Sequence, residues 1–391
     1  MTEEMTINER RKYVKLMNPR YQAADRAERS RLLSEMEQVT KLHRKSLLRL
    51  LHAKSLARKK RQTPRARAYG VEVERAIVRV WESRDYICAE RLTPSLLVMA
   101  QHLASFGVFM LTEEVARQLA TISPATVDRL LRKHRCRTGR LPRKGPERAK
   151  QVTKGVPMGR IPWDTKEPGH FEVDLVHHGG ESSAGEYGYT LQLIDVATGW
   201  SERVMIFGRG QLAMEAGFRH VLARLPFAVL ELHPDNGSEF FNYYLVRFWK
   251  EKVTGVHLSR SRPYEKNDNR MVEQKNDSLV RQYLGHLRYD TPERVAAVNA
   301  LYERMWIYYN LFQPVLHLGK KEVVDGKIRR KWDEAQTPYQ RLVATGGLSA
   351  QQQERLQTLY EQTNPLLLRD EIYERLDALW ESATAQAGTA A

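Results

Sequence analysis

Apolar and polar residues alternate with a period of two over 170–178, where Phe171, Val173 and Leu175 fall on one side and Asp174 on the other, and this predicts a strand. Two more strands follow at Tyr187–Val196 and Ser201–Phe207, with Thr198-Gly199 as the turn between them. The period then lengthens. Residues 211–225 read as a helix with Leu212, Ala216 and Leu222 among its buried positions. Val229, Leu230 and Leu232 make a fourth strand that runs into Pro234-Asp235-Asn236-Gly237, a turn signal. A helix at 238–252 is expected to turn Phe240, Phe241, Leu245 and Phe248 inward, and Val256–Leu258 is a short fifth strand. Asn267 to Leu284 holds neither Gly nor Pro and reads as a helix capped by Asn267 or Asp268. Residues 291–312 are helical, with Trp306, Tyr308 and Tyr309 expected against the back of the core.

The flanks follow a helical period. Residues 27–52 read as two short helices, one with Leu32, Leu33, Met36 and Val39 on its apolar face, the other with Leu42, Leu47, Leu50 and Leu51. The break near Val39–Leu42 has the length of a helix-turn-helix corner, and the second helix would present Arg44, Lys45 and Arg49 outward. The sequence before Leu16 carries little pattern. A second helical unit spans 71–135. It begins with an amphipathic stretch through Val73, Ile77, Val80 and Trp81, and ends with a helix capped by Ser123-Pro124. That last helix would turn Val127, Leu130 and Leu131 inward and Thr126, Arg129, Arg132 and Lys133 towards DNA. Beyond Pro314, Val323-Val324-Asp325-Gly326-Lys327-Ile328 is a two-residue hairpin signal, with Lys327, Arg329, Arg330 and Lys331 beside it. Residues 349–384 read as one or two amphipathic helices suited to packing or dimerisation.

Composition narrows the class. The 391 residues allow several domains, and 42% hydrophobic residues suffice for real cores. A net charge of +16 favours a polyanionic partner. No acidic residue stands between Glu37 and Glu72, where basic ones are dense, an asymmetry suited to phosphate contacts. The segments 57–70 and 136–160 are basic, broken by Gly and Pro, and read as linkers. Cys88 and Cys136 are the only cysteines; they give neither a disulfide framework nor a paired zinc spacing. The sequence shows no signal peptide and no apolar run long enough for a membrane span, so a cytoplasmic, nucleoid-associated location is expected.

The candidate chemistry lies in three acids, each in a different local setting: Asp174 in a strand, Asp235 just past a strand end, Glu273 on a helix. Carboxylates brought together from such elements are hard oxygen ligands suited to Mg²⁺ or Mn²⁺ rather than zinc. Two such ions about 3.5–4 Å apart activate a water or a 3′-hydroxyl at a phosphodiester and stabilise the leaving oxygen. Asp195 reads as a turn residue. Glu172 and Glu239 are expected to point away from the site, His177 and His178 to approach DNA or to serve the structure, and Asn236 to orient the metal loop.

The ordered pieces EVDLV, YTLQLIDVATGW, HPDNGSEF and SRPYEKNDNRMVEQKN, with 37 residues between Asp235 and Glu273, resemble the catalytic core of the retroviral-integrase superfamily in the form carried by bacterial insertion-sequence transposases. The resemblance covers about residues 160–310. It implies an RNase H-like α/β core with Asp174, Asp235 and Glu273 as the catalytic, metal-binding DDE triad for two Mg²⁺ (or Mn²⁺) ions. It also implies double-stranded DNA as partner, both terminal inverted repeats and target, and a homodimer or higher oligomer. From the residues themselves, Arg262 and Lys266 are expected beside the Glu273 helix as DNA contacts, and Lys266 and Arg270 to grip phosphates near the cleavage point.

The expected architecture is therefore multidomain. A helix-turn-helix unit (1–56) and a basic linker (57–70) lead to a second helical unit (71–135) and another basic linker (136–160). The RNase H-like core (161–312), a small β-hairpin unit (313–345) and C-terminal helices with a tail (346–391) follow. Retroviral integrases begin with a His/Cys zinc module; this sequence departs from that and has helix-turn-helix units instead. The expected activity is cutting at the 3′ ends of an element and joining of the 3′-hydroxyl to target DNA. The alternatives are an RNase H-like nuclease that does not join and a catalytically idle DNA-binding regulator.

Overall fold

The computed structural model describes residues 5–53, 68–135, 158–162, 164–182, 184–234, 240, 249, 255–262, 268–324 and 327–387. The chain divides into two compact units, Met1–Ala68 and Tyr69–Ala391. Most of both basic linkers, the helix expected at 238–252 apart from Phe240 and Trp249, and the Asp325-Gly326 turn lie outside the described residues.

The first unit is three helices: α1 (Ile7–Ala23), α2 (Arg26–Thr40) and α3 (Arg44–Leu51). α1 covers a segment whose pattern gave no helix. Only Val14 and Tyr21 anchor it, too few to make a stripe, and a capping box between Thr6 and Glu9 starts it instead. α2 is capped by Asp25 and stops at Lys41, which takes a left-handed φ of 55°. Val14, Tyr21, Leu32, Leu33, Met36, Leu47 and Leu51 form the core. Val39, expected to face inward, is exposed. Thr40 takes the buried place because its hydroxyl donates to the Met36 carbonyl at 2.6 Å, which removes the cost of burying it.

The second unit opens with α4 (Val71–Ser83), α5 (Ala89–Leu92), α6 (Leu96–Ser105), α7 (Glu113–Thr121) and α8 (Pro124–Leu131), the last capped by the Ser123 hydroxyl. Ile77, Val80, Leu96, Met99, Leu103, Val127 and Leu131 share one hydrophobic cluster with Trp200, Leu311, Phe312, Tyr339 and Leu342. These helices and the sheet region therefore fold around a common interior.

Seven strands follow: β1 (Met158–Gly159), β2 (His170–His177), β3 (Gly188–Asp195), β4 (Ser201–Phe207), β5 (Glu231–Pro234), β6 (His257–Leu258) and β7 (Arg260–Ser261). The five-stranded sheet has the order β4-β3-β2-β5-β6. β3 runs antiparallel to both β2 and β4, while β5 and β6 run parallel to β2. Three antiparallel strands, a crossover helix and a parallel strand is the succession the sequence led us to expect. β1 pairs only with β7, a ladder the pattern did not suggest.

The sheet has two unlike faces. On one, Val173–Leu193 and Leu175–Leu191–Val204 form cross-strand rows covered by α9 (Gln211–Arg224). α9 buries Met214, Gly217, Phe218 and Val221, whereas Leu212 and Ala216 are exposed, which corrects the helix phase expected from sequence. Gly217 sets that phase: a Cβ there would lie 2.9 Å from Ile206, so only glycine lets the helix come this close to the sheet. The other face carries Glu172, Asp174 and Val176 of β2, Gln192 and Thr190 of β3, and Arg203 and Met205 of β4. Over the sheet pack α10 (Arg270–Lys275), a π-helical turn (Asn276–Arg281), α11 (Gln282–Leu284) and α12 (Pro292–Ile307). The hairpin β8 (Leu318–Val324) and β9 (Lys327–Trp332) then precedes α13 (Pro338–Ala344), α14 (Ala350–Gln362) and α15 (Pro365–Ala387). Leu368, Ile372, Leu376 and Leu379 of α15 pack with Val298, Leu301 and Met305 of α12.

Asp195 ends β3 as a turn residue. Its carboxylate accepts from the Gly169 amide (2.8 Å), the Thr198 amide (2.8 Å) and the Thr198 hydroxyl (2.6 Å). Burial pushes its pKa up to about 6 against the pull of these donors. A carboxyl raised in this way contributes stability below its ordinary value of 3.8 and loses it as pH rises through about 6. Asp195→Ala is expected to cost about 1–3 kcal/mol through the donors left unpaired. In urea unfolding at a series of pH values, the margin of wild type over the variant should shrink between pH 4 and 6; a constant margin would contradict the assignment.

Candidate active site

β2 sets Asp174 half-buried in the sheet, on the polar face. One Asp174 oxygen accepts from the Leu175 amide at 2.8 Å and the other from the Asn276 side chain at 2.5 Å. Two residues earlier, and therefore on the same face, Glu172 is buried and accepts from the Met271 and Val272 amides at 2.7 and 2.9 Å. These are amides of the first turn of α10, groups with no partner inside their own helix. The strand thus holds the helix at two places, by its N-terminus and one turn past Glu273. Val272 is buried, Glu273 is exposed, and Glu273 stands three residues before Asn276 on the same helix face.

The expectation that Glu172 points away is overturned. Its parity with Asp174 was the signal that would have found it. Burial pushes the Glu172 carboxyl up to about 7, the two helix amides and Arg270 oppose that, and Glu273 adds to it. Glu239 and Asn236 lie outside the described residues, as does Asp235. What is described next to Asp235 is β5, which ends at Pro234, paired with Val173. A polar chain anchors this strand: His170 to Glu231 at 2.8 Å, Glu231 to the Ser259 hydroxyl at 2.5 Å, and Ser259 to His233 at 2.6 Å. His178 is wholly buried on the Thr190 hydroxyl, which in turn meets Tyr302, so it serves the fold; His177 is exposed with its ring edge-on to Tyr189.

Asp174 and Glu273 offer the carboxylate oxygens that Mg²⁺ and Mn²⁺ take. Among the described residues no three His, Cys, Asp or Glu side chains gather as a metal cluster.

The expected DNA contacts divide into two groups. Lys45, Arg49 and Arg129 are exposed. Arg44 is turned back onto α2, donating to the Ser30 hydroxyl at 2.9 Å and the Ser34 hydroxyl at 3.2 Å. Arg132 pairs with Asp128 at 3.3 Å, and Lys133 pairs with Glu74, which also takes His134. Arg262 grips Asp268 with two nitrogens, at 2.9 and 2.8 Å. Arg270 is half-buried near Glu172 and Arg160, and Lys266 lies outside the described residues. Arg329, Arg330 and Lys331 of the hairpin are exposed, whereas the side chain of Lys327 is not described. Among the described residues no helix is long and apolar enough to cross a membrane.

The chain is 34% identical over 354 residues to the uncharacterized protein y4rM of Sinorhizobium fredii (strain NBRC 101917 / NGR234), a match covering 89% of this chain and 97% of that one. Among solved structures, the catalytic core domain of BIV integrase is similar over 46% of this chain and 95% of its own, at 17% identity and a TM-score of 0.29. No family model matches.

The Glu172 anchor has a measurable consequence. Glu172→Ala should destabilise the second unit by about 1–2 kcal/mol, as loss of a helix cap does. Glu172→Gln, which keeps an acceptor oxygen, should recover most of that. Amide exchange at Met271 and Val272 would report it directly, and unchanged protection in the alanine variant would contradict the anchor.

Proposed function

We propose that this chain, which belongs to the family of the Sinorhizobium fredii protein y4rM, is a DNA transposase that cuts the 3′ ends of its element and joins them to target DNA. The observation carrying this reading is the double hold of β2 on α10, Glu172 on the helix amides and Asp174 on Asn276, which puts Glu273 one turn from the residue bonded to Asp174. Asp235 enters from the sequence, as the residue after Pro234 at the end of β5.

Asp174, Asp235 and Glu273 would hold two Mg²⁺ or Mn²⁺ ions, which supply activation of a water or 3′-hydroxyl and stabilise the leaving oxygen. The chain's own residues do the positioning. Asn276 orients the Asp174 carboxylate by donating to it, and Glu172 fixes the helix that presents Glu273. Both chemical steps, hydrolysis and transfer, need an in-line oxygen nucleophile at phosphorus, so carboxylates suffice and no nucleophilic side chain is required.

The α2–α3 and α7–α8 pairs are the proposed helix-turn-helix readers of the terminal repeats. Lys45, Arg49 and Arg129 are the side chains exposed for that task. Arg44, Arg132, Lys133 and Arg262 have the intramolecular partners described above, so their role on DNA is secondary. A dimer or larger assembly is proposed because joining needs two ends held together.

Asp174→Asn and Glu273→Gln should each lower strand cutting by about 10³-fold or more while leaving binding of the element ends unchanged. Retained cutting by either variant would refute the site. A pre-cut end that is never joined to a second duplex would favour the simple nuclease. Lys45→Ala and Arg129→Ala should weaken binding and each reduce the slope of log K against log salt by about one; an unchanged slope would remove these residues from the interface.

A further inference from the structure

The polar face of the sheet continues inward from Asp174. Asp174 on β2 is paired with Gln192 on β3, and Gln192 with Arg203 on β4. Gln192 is wholly buried, and neither atom of its amide group has a partner. Arg203 is 2% exposed, and both of its terminal nitrogens are unpartnered. Its guanidinium lies over the rings of Tyr302 and Tyr309, at 5.7 and 5.2 Å from their centroids. The hydroxyl of Ser201, two residues away on the same face of β4, is also buried without a partner.

Among the described residues no carboxylate bonds either terminal nitrogen of Arg203. Buried charge without a counter-charge is among the costliest arrangements a fold can hold, and buried side-chain donors are almost always satisfied. Tyrosine ring faces compensate only in part.

We propose that Arg203, Gln192 and Ser201 form an interior binding site for a small oxyanion of the phosphate class. The guanidinium fork matches two oxygens of such an ion, and the amide and hydroxyl supply further donors. Arg203 and Gln192 are closed off from solvent, so the occupant is a free ion and not the backbone phosphate of a duplex. The site lies in the same cross-strand row as Asp174, and its filling would stiffen the sheet beneath the candidate active site.

The test is thermal unfolding of the full-length protein, free of DNA and divalent metal, against inorganic phosphate at constant ionic strength. Wild type should gain about 2–4 °C in a saturable manner. Arg203→Met should show no saturable gain, and without phosphate it should melt no lower than wild type, because an unpaired cation has left the interior. Gln192→Leu, which keeps all charges, should shift saturation to higher phosphate, and it stands in if the methionine variant does not fold. A short duplex should raise the melting temperature of wild type and variants alike. An equal phosphate response in all three proteins would place the effect on the basic surface and overturn the proposal. No response in wild type would overturn it too, and so would a variant difference seen with duplex and not with free phosphate. The phosphate arm reads neither catalysis nor DNA binding, so its outcome does not depend on the transposase reading.

Discussion

A carboxylate on a strand capping a helix from outside it is the interaction on which the site depends. The first turn of any helix leaves amides without partners, and the side chain that takes them fixes where the helix begins. In α10 the local N-cap, Asn269, makes no side-chain cap bond. Glu172 does so from β2 instead, with a negative charge at the positive end of the helix. The cap therefore sets helix start, rotation and docking together. With Val272 inward, Glu273 faces out and Asn276 falls on Asp174. A π-helical turn follows at once and re-phases the helix so that Leu279 and Val280 are buried.

The two faces of the sheet divide the labour. The α9 face is apolar and close-packed, with Gly217 as its point of closest approach. The opposite face buries polar groups, and neighbouring residues of β4, one on each face, show two ways of holding a buried charge. Glu202 is wholly buried but accepts from Trp200, Trp306 and Arg224, so its charge is compensated within the chain. Arg203, pointing the other way, lies over the rings of Tyr302 and Tyr309, and among the described residues no carboxylate bonds its terminal nitrogens.

The C-terminal helices, for which the sequence offered packing or dimerisation, pack within the chain. Asp85, in a left-handed conformation just after α4, collects Arg369 and Tyr373 of α15 and Tyr283 of α11, and Trp380 donates to the Tyr283 carbonyl. Since α11 continues the helix of Glu273, α15 braces the far end of the element that Glu172 anchors at its start. Tyr308 adds a bond from its hydroxyl to the Ser83 carbonyl, tying the end of α12 to α4.

Much of this was written in local pattern. Strand alternation located β2, β3 and β4 to within a residue or two, because the side-chain period of a strand is short and unambiguous. Ser123-Pro124 marked the start of α8, and the Asp-Gly signal in the sequence falls between the paired Val324 and Lys327 of β8 and β9, because caps and turns are chemistry of adjacent residues. Where burial depends on a partner, pattern failed: Leu212 and Val39 looked like core and are exposed, since Gly217 and Thr40 set the contacts. α1 was missed because only two of its residues are buried. The sequence alone named Asp174 and Glu273 as acids worth watching. Only the tertiary structure could turn Glu172 into the cap of a helix 99 residues away, bond Asp174 to Asn276, and bury the terminal nitrogens of Arg203 without a hydrogen-bond partner. Such roles are set by what packs across from a residue, and no local window contains that.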